Sequence, residues 1–252
     1  MQHKKKQRSP KRSVQRETQP GEQPKIDGMR LNKYIANAGV CSRREADKLI
    51  AEGKITVNAK SITELGFKVK SADVVKYQGQ TLSPEKKQYV LLNKPKGFIS
   101  TTSDPKGRRT VMELVEKACE EQIFPIGRLD RATTGLLLFT NDGELAKKLT
   151  HPSNNIKKVY QITLDKAISK DDFLAISEGL TLEDGKVQVH DLAIVSTDEK
   201  SLGMEIHVGK NRIVRRIFEH LGYQVEKLDR VMFGNLTKKD LTRGKWRHLT
   251  EK

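Results

Sequence analysis

The sequence predicts an α+β protein in which a small unit of short helices and strands precedes a larger domain. Three observations support this prediction. The chain has 252 residues, which is more than one average domain requires. Apolar residues follow helical spacing in a few segments and strand spacing in more of them, without a strict helix–strand alternation. A short polar segment, residues 83–87, separates the two parts and is interpreted as a linker.

Composition excludes several classes of protein. No stretch approaches the ~20 apolar residues that a membrane-spanning helix needs, and the most apolar run, Leu136–Phe139, is only as long as a strand. Cys41 and Cys119 are far apart, which excludes a disulfide scaffold and a thiolate zinc site. No H-x-x-x-H, P-loop or G-x-G-x-x-G occurs, so we expect no metal and no cofactor. We expect a cytoplasmic protein without membrane contact, and nothing demands more than a monomer.

Charge indicates the class of partner. The net charge is +16 and the pI is about 9.7. Residues 1–27 hold eight basic and three acidic residues and therefore carry +5, which leaves +11 on the other 225 residues. Such an excess favours a polyanion such as nucleic acid, because each neutralised phosphate releases counterions. The alternative is a basic soluble protein without such a partner. Residues 1–27 are too polar to form a core and are predicted to be a disordered basic arm.

The first folded unit is predicted over residues 28–82. Leu31, Tyr34, Ile35 and Ala38 follow helical spacing up to Gly39. A second helix is predicted from Arg43 to Glu52, because Ser42 and Glu45 form a capping box before it. Strand-like segments follow at residues 55–57, 67–69 and 74–77.

The second domain is predicted over residues 88–252. Helices are expected after the Thr110 and Glu113 capping box, at residues 143–149 and at residues 212–221. Strands are expected at residues 89–92, 136–140, 158–164, 186–195, 202–208, 224–228, 230–233 and 246–249.

The loop from Gly127 to Gly135 has the highest density of residues that could perform chemistry. Asp130 lies between Arg128 and Arg131, just before the apolar strand at residues 136–140. We expect positive neighbours to keep this carboxylate ionised, so that it could act as a nucleophile or a base. The alternative is a structural aspartate that pairs with an arginine and binds backbone amides of its own loop.

The motifs resemble those of bacterial ribosomal RNA pseudouridine synthases, in the branch that modifies single uridines. The resemblance rests on Gly127–Asp130 with Thr134–Leu138, on Thr140–Gly143, on His151-Pro152 and on Gly209–Arg216. At Ile213 the family usually has Gln or Glu. The upstream segments 29–34 and 41–46 are similar to the S4-type RNA-binding domain, which precedes the catalytic domain in this branch. The resemblance extends over residues 28–250.

The resemblance implies a mixed, mainly antiparallel catalytic sheet and the cofactor-free isomerisation of a uridine already in RNA. Asp130 matches the essential aspartate, and Tyr160 matches the tyrosine that lies against the flipped base. Arg215 matches the arginine that pairs with the aspartate and keeps it ionised. Two alternatives stay open: Tyr160 shares strand parity with Ile162 and Leu164 and could be a core residue, and Arg215 could belong to a solvated charged helix face.

Eight basic residues are predicted to contact RNA. Arg30, Arg43, Arg44 and Lys48 lie on or beside the first helix pair, where S4-type domains meet RNA and where the start of the second helix also attracts phosphate. Arg128, Lys210, Arg212 and Arg216 flank the catalytic motifs. A charged, solvated helix face is the alternative interpretation for the first four.

Two functions of different classes are compatible with these motifs. The first is a pseudouridine synthase that acts on ribosomal RNA or a pre-ribosomal particle. The second is an RNA-binding ribosome-assembly factor that has lost the chemistry, but the joint presence of Asp130, Tyr160 and Arg215 favours the enzyme. An S4-bearing aminoacyl-tRNA synthetase is excluded because no H-I-G-H or K-M-S-K-S signature occurs. The basic arm and the residues at 134–138 favour large-subunit over small-subunit RNA.

Overall fold

The computed structural model describes residues 28–250, which fall into two compact units. One unit contains residues 28–36 and 41–82, and the other contains residues 37–40 and 83–250. The predicted basic arm, residues 1–27, lies outside the described residues. Within residues 28–250, no helix has the length and apolarity needed to cross a membrane.

The first unit combines two helices with small antiparallel sheets. Its elements, in chain order, are β1 (Met29–Arg30), α1 (Leu31–Asn37), α2 (Arg43–Ala51), β2 (Ile55–Val57), β3 (Lys60–Ser61), β4 (Lys68–Val69), β5 (Val75–Tyr77) and β6 (Gln80–Thr81). Strand β1 pairs with β4, and the other strands form a four-stranded sheet in the order β3-β2-β5-β6. The two helices and strands β2, β4 and β5 were predicted from the sequence, whereas the two-residue strands β1, β3 and β6 were not.

Helix α2 forms for the reason that its sequence indicates. The side chain of Ser42 accepts a hydrogen bond from the backbone N–H of Glu45, at 3.3 Å, which satisfies one of the free amides at the start of the helix. Ala46 and Ile50 are buried on one face, so burial of that face holds the helix in place.

The second unit is built around one large sheet. Its elements, in chain order, are β7 (Tyr89–Lys94), α3 (Met112–Val115), β8 (Phe124–Ile126), β9 (Thr134–Thr140), α4 (Gly143–Thr150), β10 (Lys158–Leu164), α5 (Lys170–Glu178), β11 (Leu180–Leu182), β12 (Gly185–Val187), β13 (Asp191–Ile194), β14 (Ser201–Ile206), α6 (Ile213–His220), β15 (Val225–Phe233), β16 (Leu236–Thr237) and β17 (Trp246–His248).

Nine of these strands form a mixed, mainly antiparallel sheet. Its main path runs β13-β14-β10-β15-β9-β7-β17, with β8 on β9 and β16 on β15. In the described sheet the β15–β9 pair is parallel and the other pairs are antiparallel. The α+β class with a mainly antiparallel catalytic sheet is therefore confirmed.

Both faces of the sheet are buried around β9. Leu137 and Phe139 belong to the larger core, together with residues of α3 and α6, whereas Leu136 and Leu138 belong to a second core beside α4. Successive strand residues point to opposite faces, so a strand covered on both sides needs a continuous apolar run. This explains the run of four apolar residues without alternation.

The second unit differs from the sequence prediction in several places. Strands β8, β11 and β16 were not predicted, and the segments predicted separately at residues 224–228 and 230–233 form the single strand β15. The helix after Thr110 is only four residues long, although the Glu113 side chain does accept from the Thr110 amide at 2.6 Å. Helix α5 was not predicted. Its N-terminal cap could have indicated it, because the Ser169 side chain accepts a hydrogen bond from the Asp172 amide at 3.1 Å. The single strand predicted at residues 186–195 is two strands, β12 and β13, because alternation does not reveal where the pairing partner changes.

The segment predicted as a linker makes contacts within the second unit. The Lys86 carbonyl accepts from the Asn141 side chain at 2.8 Å, and Lys87 pairs with Asp142 at 2.9 Å. The domain boundaries proposed from the sequence stay a prediction.

Candidate active site

A cleft of about 480 Å³ lies in the second unit, where the loop before β9 and the start of α6 meet the middle of the large sheet. It lies beside the parallel β9–β15 pair. The cleft is lined by five of the residues predicted from the sequence, namely Arg128, Asp130, Tyr160, Lys210 and Arg212. Among the described lining residues, Asp130 is the one carboxylate.

The loop that presents Asp130 is held by a buried lysine. Lys94, at the end of β7, has no exposed surface, and its ammonium donates to the carbonyls of Pro95, Asp130 and Thr133 at 3.2, 3.1 and 2.8 Å. Burial lowers the pKa of Lys94 to about 8, against the opposing effect of the nearby Asp130 charge. The loop is also closed by the Thr133 amide, which donates to the Asp130 carbonyl at 3.0 Å. These bonds fix the backbone and leave the Asp130 carboxylate free to face the cleft.

Tyr160 is both a core residue and part of the cleft wall. It is 9% exposed, belongs to the larger core with Ile162 and Leu164, and lines the cleft. A place in the core is therefore compatible with a place on the cleft wall, and the contact of Tyr160 with a flipped base stays a prediction. Its position next to Arg230 across the β10–β15 pair places it two strands from the Asp130 loop.

The structure corrects the predicted partner of Asp130. Arg212, at the start of α6, has its Nη1 4.0 Å from the Asp130 carboxylate, whereas Arg215 donates to the Val225 carbonyl at 2.7 Å. Among the described residues, Arg212 is the one cation within 4.0 Å of that carboxylate. Arg128 and Arg131, the neighbours of Asp130 in sequence, do not pair with it, and Arg131 donates instead to the Gly97 carbonyl at 3.3 Å.

Arg215 also lies on a different face of α6 from the one predicted. It is 9% exposed and belongs to the buried residues of the helix with Ile213, Ile217 and Phe218, and its guanidinium reaches a carbonyl of β15. Burial and the charge of Arg212 lower the pKa of Arg215, whereas the charge of Asp130 raises it. Asp130 and Arg215 thus interact through space, without contact.

Two of the predicted phosphate contacts are bound to an acidic residue. Asp184, in the turn between β11 and β12, accepts from both terminal nitrogens of Arg216 at 3.0 and 2.6 Å. Lys210 donates to the Asp184 carbonyl at 2.8 Å. The Arg216 hydrogen bonds lower the pKa of Asp184 to about 2. Arg216 therefore holds the β11–β12 hairpin against α6, while Arg128 and Arg212 are exposed at the cleft.

The four basic residues predicted in the first unit are all on its surface. Arg43, Arg44 and Lys48 are exposed on α2, and Arg30 is exposed in β1. Lys48 has its ammonium 3.8 Å from the Glu45 carboxylate, a weak surface pair. Arg43 and Arg44 occupy the first turn of the helix, where its amides add positive potential.

A partly buried acid that the sequence did not reveal holds the strands beside the cleft together. Asp229 of β15 accepts from Thr134 and from Arg243, both at 2.8 Å, and also pairs with Lys238. Burial alone would raise the pKa of Asp229, but hydrogen bonds from Arg243, Lys238 and Thr134 hold it at about 2. No motif marks this residue, because its three partners come from separate segments.

We expect Asp229→Asn to lower the free energy of unfolding by about 2 kcal/mol at pH 7, because a carboxylate pKa near 2 rather than near 3.9 favours the folded state above pH 4. That contribution is lost as the pH falls from about 4 towards 2, so the difference in free energy of unfolding between the wild type and Asp229→Asn should become smaller in this range. Urea unfolding of the wild type and of Asp229→Asn at pH 7 and at pH 2.5 measures this difference at each pH. Asp191→Asn, at an exposed position, is the control, and a constant difference at both pH values would contradict the prediction.

Comparisons with known proteins agree with the geometry. The family model described as "RNA pseudouridylate synthase" matches residues 88–220, and that of the S4 domain matches residues 29–75. The "Ribosomal large subunit pseudouridine synthase B" of Bacillus subtilis (strain 168) is 44% identical over 225 residues, which cover 88% of this chain and 92% of that protein. The "Dual-specificity RNA pseudouridine synthase RluF" of Escherichia coli (strain K12) is 37% identical over 226 residues, covering 88% of this chain and 76% of that protein.

A solved structure described as "Crystal structure of pseudouridylate synthase" covers 88% of this chain and 96% of its own, with a TM-score of 0.62 and 28% sequence identity. The agreement extends over both units. With an S4 domain followed by a catalytic domain whose cleft contains the aspartate loop, the chain belongs to the RNA pseudouridylate synthase family.

Proposed function

We propose that the protein isomerises one specific uridine of ribosomal RNA to pseudouridine, with Asp130 as the essential carboxylate. The observation that carries this proposal is the position of Asp130: a rigid loop presents it in a cleft, with Arg212 as its neighbouring cation and Tyr160 on the wall. Large-subunit RNA is the favoured substrate, because a relative 44% identical is named for the large subunit.

The reaction sets two physical requirements, a pocket for the extracted base and an ionised carboxylate. The target base must leave its stack and enter a pocket, at a cost of a few kcal/mol. The bond between ribose C1′ and N1 of uracil breaks, a bond between C1′ and C5 forms, C5 loses a proton and N1 gains one. Substrate and product are isomers, so the reaction requires no redox cofactor. Attack on C1′, attack on the base, or removal of a proton each begins with an ionised carboxylate, for which Asp130 is the candidate.

The remaining predicted residues support binding and positioning. Exposed Arg128 and Arg212 at the cleft are suited to backbone phosphates, which offset the cost of extracting the base. Arg215 is assigned a positioning role, since it anchors α6 to the Val225 carbonyl and acts on Asp130 only through space. Tyr160 is assigned to the face of the flipped base. The proposed location is the cytoplasm, where ribosomal RNA is available.

Mapping pseudouridine in ribosomal RNA tests the function. Purified protein is incubated with unmodified large-subunit and small-subunit RNA, and pseudouridine is located by carbodiimide-blocked primer extension. We expect one new stop, in the large-subunit RNA. A stop in the small-subunit RNA alone would reverse the substrate assignment. No stop on either RNA or on a pre-ribosomal particle, with tight binding retained, would favour the non-catalytic assembly factor.

The S4 domain is expected to bind RNA through backbone charge. Arg43→Ala with Arg44→Ala should reduce the slope of log Kd against log salt by roughly 1 to 2, because each lost phosphate contact contributes about 0.7 to 0.9. A salt titration of RNA binding measures the slope. Lys60→Ala with Lys70→Ala is the matched control, since these lysines are exposed in the same unit but are not part of α2. Equal slopes for both double variants would contradict the prediction.

A further inference from the structure

A buried arginine on the cleft wall has no role in the function proposed so far. Arg230, on β15, is 3% exposed and lines the cleft. Its Nε donates to the Leu136 carbonyl at 2.8 Å, and its guanidinium carbon lies 4.8 Å from the centre of the Phe233 ring. Its Nη2 is buried and, within residues 28–250, has no hydrogen-bond partner. An unpaired buried donor of a charged group is costly, so this nitrogen marks a place where a ligand can bind.

The positive charge around Arg230 also favours binding of an electron-rich ligand atom. No carboxylate in the described part of the chain lies within 4.0 Å of Arg230, and Lys158, on the adjacent strand, adds a second cation to the same cleft. Lys158 donates to the Ile156 and His207 carbonyls at 2.8 and 2.6 Å. Burial and the charge of Arg230 lower the pKa of Lys158. This part of the cleft is therefore lined by two cationic side chains.

The position of Arg230 relative to Tyr160 selects the ligand atom. The two residues are direct partners across the β10–β15 pair and both line the cleft, and side chains directly opposite each other in an antiparallel pair lie about 5 Å apart at Cβ. A base lying against Tyr160 therefore brings its edge to the Arg230 guanidinium. A phosphate suits this position less well, because it is bulky and strongly hydrated, and exposed Arg128 and Arg212 are available at the cleft.

We propose that Arg230 recognises uracil by donating a hydrogen bond from Nη2 to a ring carbonyl oxygen, and that its charge stabilises the negative charge that develops on the ring during isomerisation. This inference rests on the proposed function and names a further residue for it. If C1′–N1 breaks first, the bonding pair stays on the uracil and spreads to O2 and O4. If the carboxylate adds to the base, the pair of the ring double bond moves to O4. In both cases a buried donor fixed before the reaction is most effective.

Two RNAs and two substitutions separate recognition of the base from contact with a phosphate. One RNA carries the target uridine and the other carries an abasic ribose at the same position, and both are titrated against Asp130→Asn with and without Arg230→Gln. We expect Arg230→Gln to weaken binding of the uridine RNA about tenfold and to leave binding of the abasic RNA unchanged. Arg128→Gln, the matched control at the exposed side of the cleft, should weaken both RNAs equally.

Turnover supplies the second measurement. In a chain with Asp130 intact, Arg230→Gln should lower kcat roughly 10²-fold or more, with a smaller change in KM. Arg230→Lys keeps the positive charge but loses the planar guanidinium, so its kcat should lie between those of the wild type and Arg230→Gln. If Arg230→Gln fails to fold, Arg230→Lys replaces it in both measurements. Equal weakening of both RNAs by the Arg230 variants would assign a phosphate contact instead. An unchanged kcat in a wild-type enzyme that makes pseudouridine would reject the inference while leaving the proposed function intact.

Discussion

Asp130→Asn is expected to reduce pseudouridine formation by roughly 10³-fold or more, a loss typical of removing an essential reacting group. The asparagine has the same shape but is neither ionised nor able to act as a nucleophile or base. The fold should be unaffected, because Lys94 and the Thr133 amide bind the backbone carbonyl of residue 130 and not its side chain. Within residues 28–250 the side chain makes one ion pair, with Arg212 at 4.0 Å.

The experiment compares initial rates of pseudouridine formation and Kd for the same RNA. Binding should stay within about twofold of the wild type, since the carboxylate is partly exposed and its ion pair with Arg212 is long, at 4.0 Å. Asp240→Asn, at an exposed position outside the cleft, is the control and should keep both values. A variant that retains the wild-type rate would remove Asp130 from the reaction. A variant that loses binding and rate together would make Asp130 a binding residue.

Gly135→Ala is expected to destabilise the catalytic domain by about 4 kcal/mol or more, to the point of insolubility. Gly135 has a φ of +107°, a conformation that side chains rarely adopt. A Cβ at this position would lie 2.3 Å from the backbone oxygen and 2.5 Å from the backbone nitrogen of Arg230. The β9–β15 pair, which joins Thr134 to Asp229 and Gly135 to Arg230, would have to separate.

Urea unfolding and soluble yield measure the effect. Gly143→Ala is the control, because an added Cβ meets no atom within 4 Å at the first residue of α4. That substitution should be neutral or slightly stabilising, since it reduces the freedom of the unfolded chain. Wild-type stability of Gly135→Ala would show that the close approach of β15 is not a constraint.

Local patterns determined much of this protein. The Ser42 cap predicted the start of α2, strand parity predicted that Tyr160 faces inward, and the glycine-bounded loop around Asp130 marked the centre of the cleft. Each of these depends on residues within a few positions of one another, so the chain's own geometry is enough to predict it. Family motifs extended the prediction to both domains.

Tertiary packing decided which groups meet. Arg215 was predicted to pair with Asp130, but its position on α6 buries it and turns it to a β15 carbonyl, which leaves Arg212 beside the carboxylate. Lys94 and Arg230 carried no signal in the sequence, because their partners are separated from them by up to 94 residues. The chain by itself thus determined most of the helices and strands and the loop that carries Asp130. Which cations surround that carboxylate was decided by the sheet, since charges and hydrogen bonds act through distances in space and not through separation along the sequence.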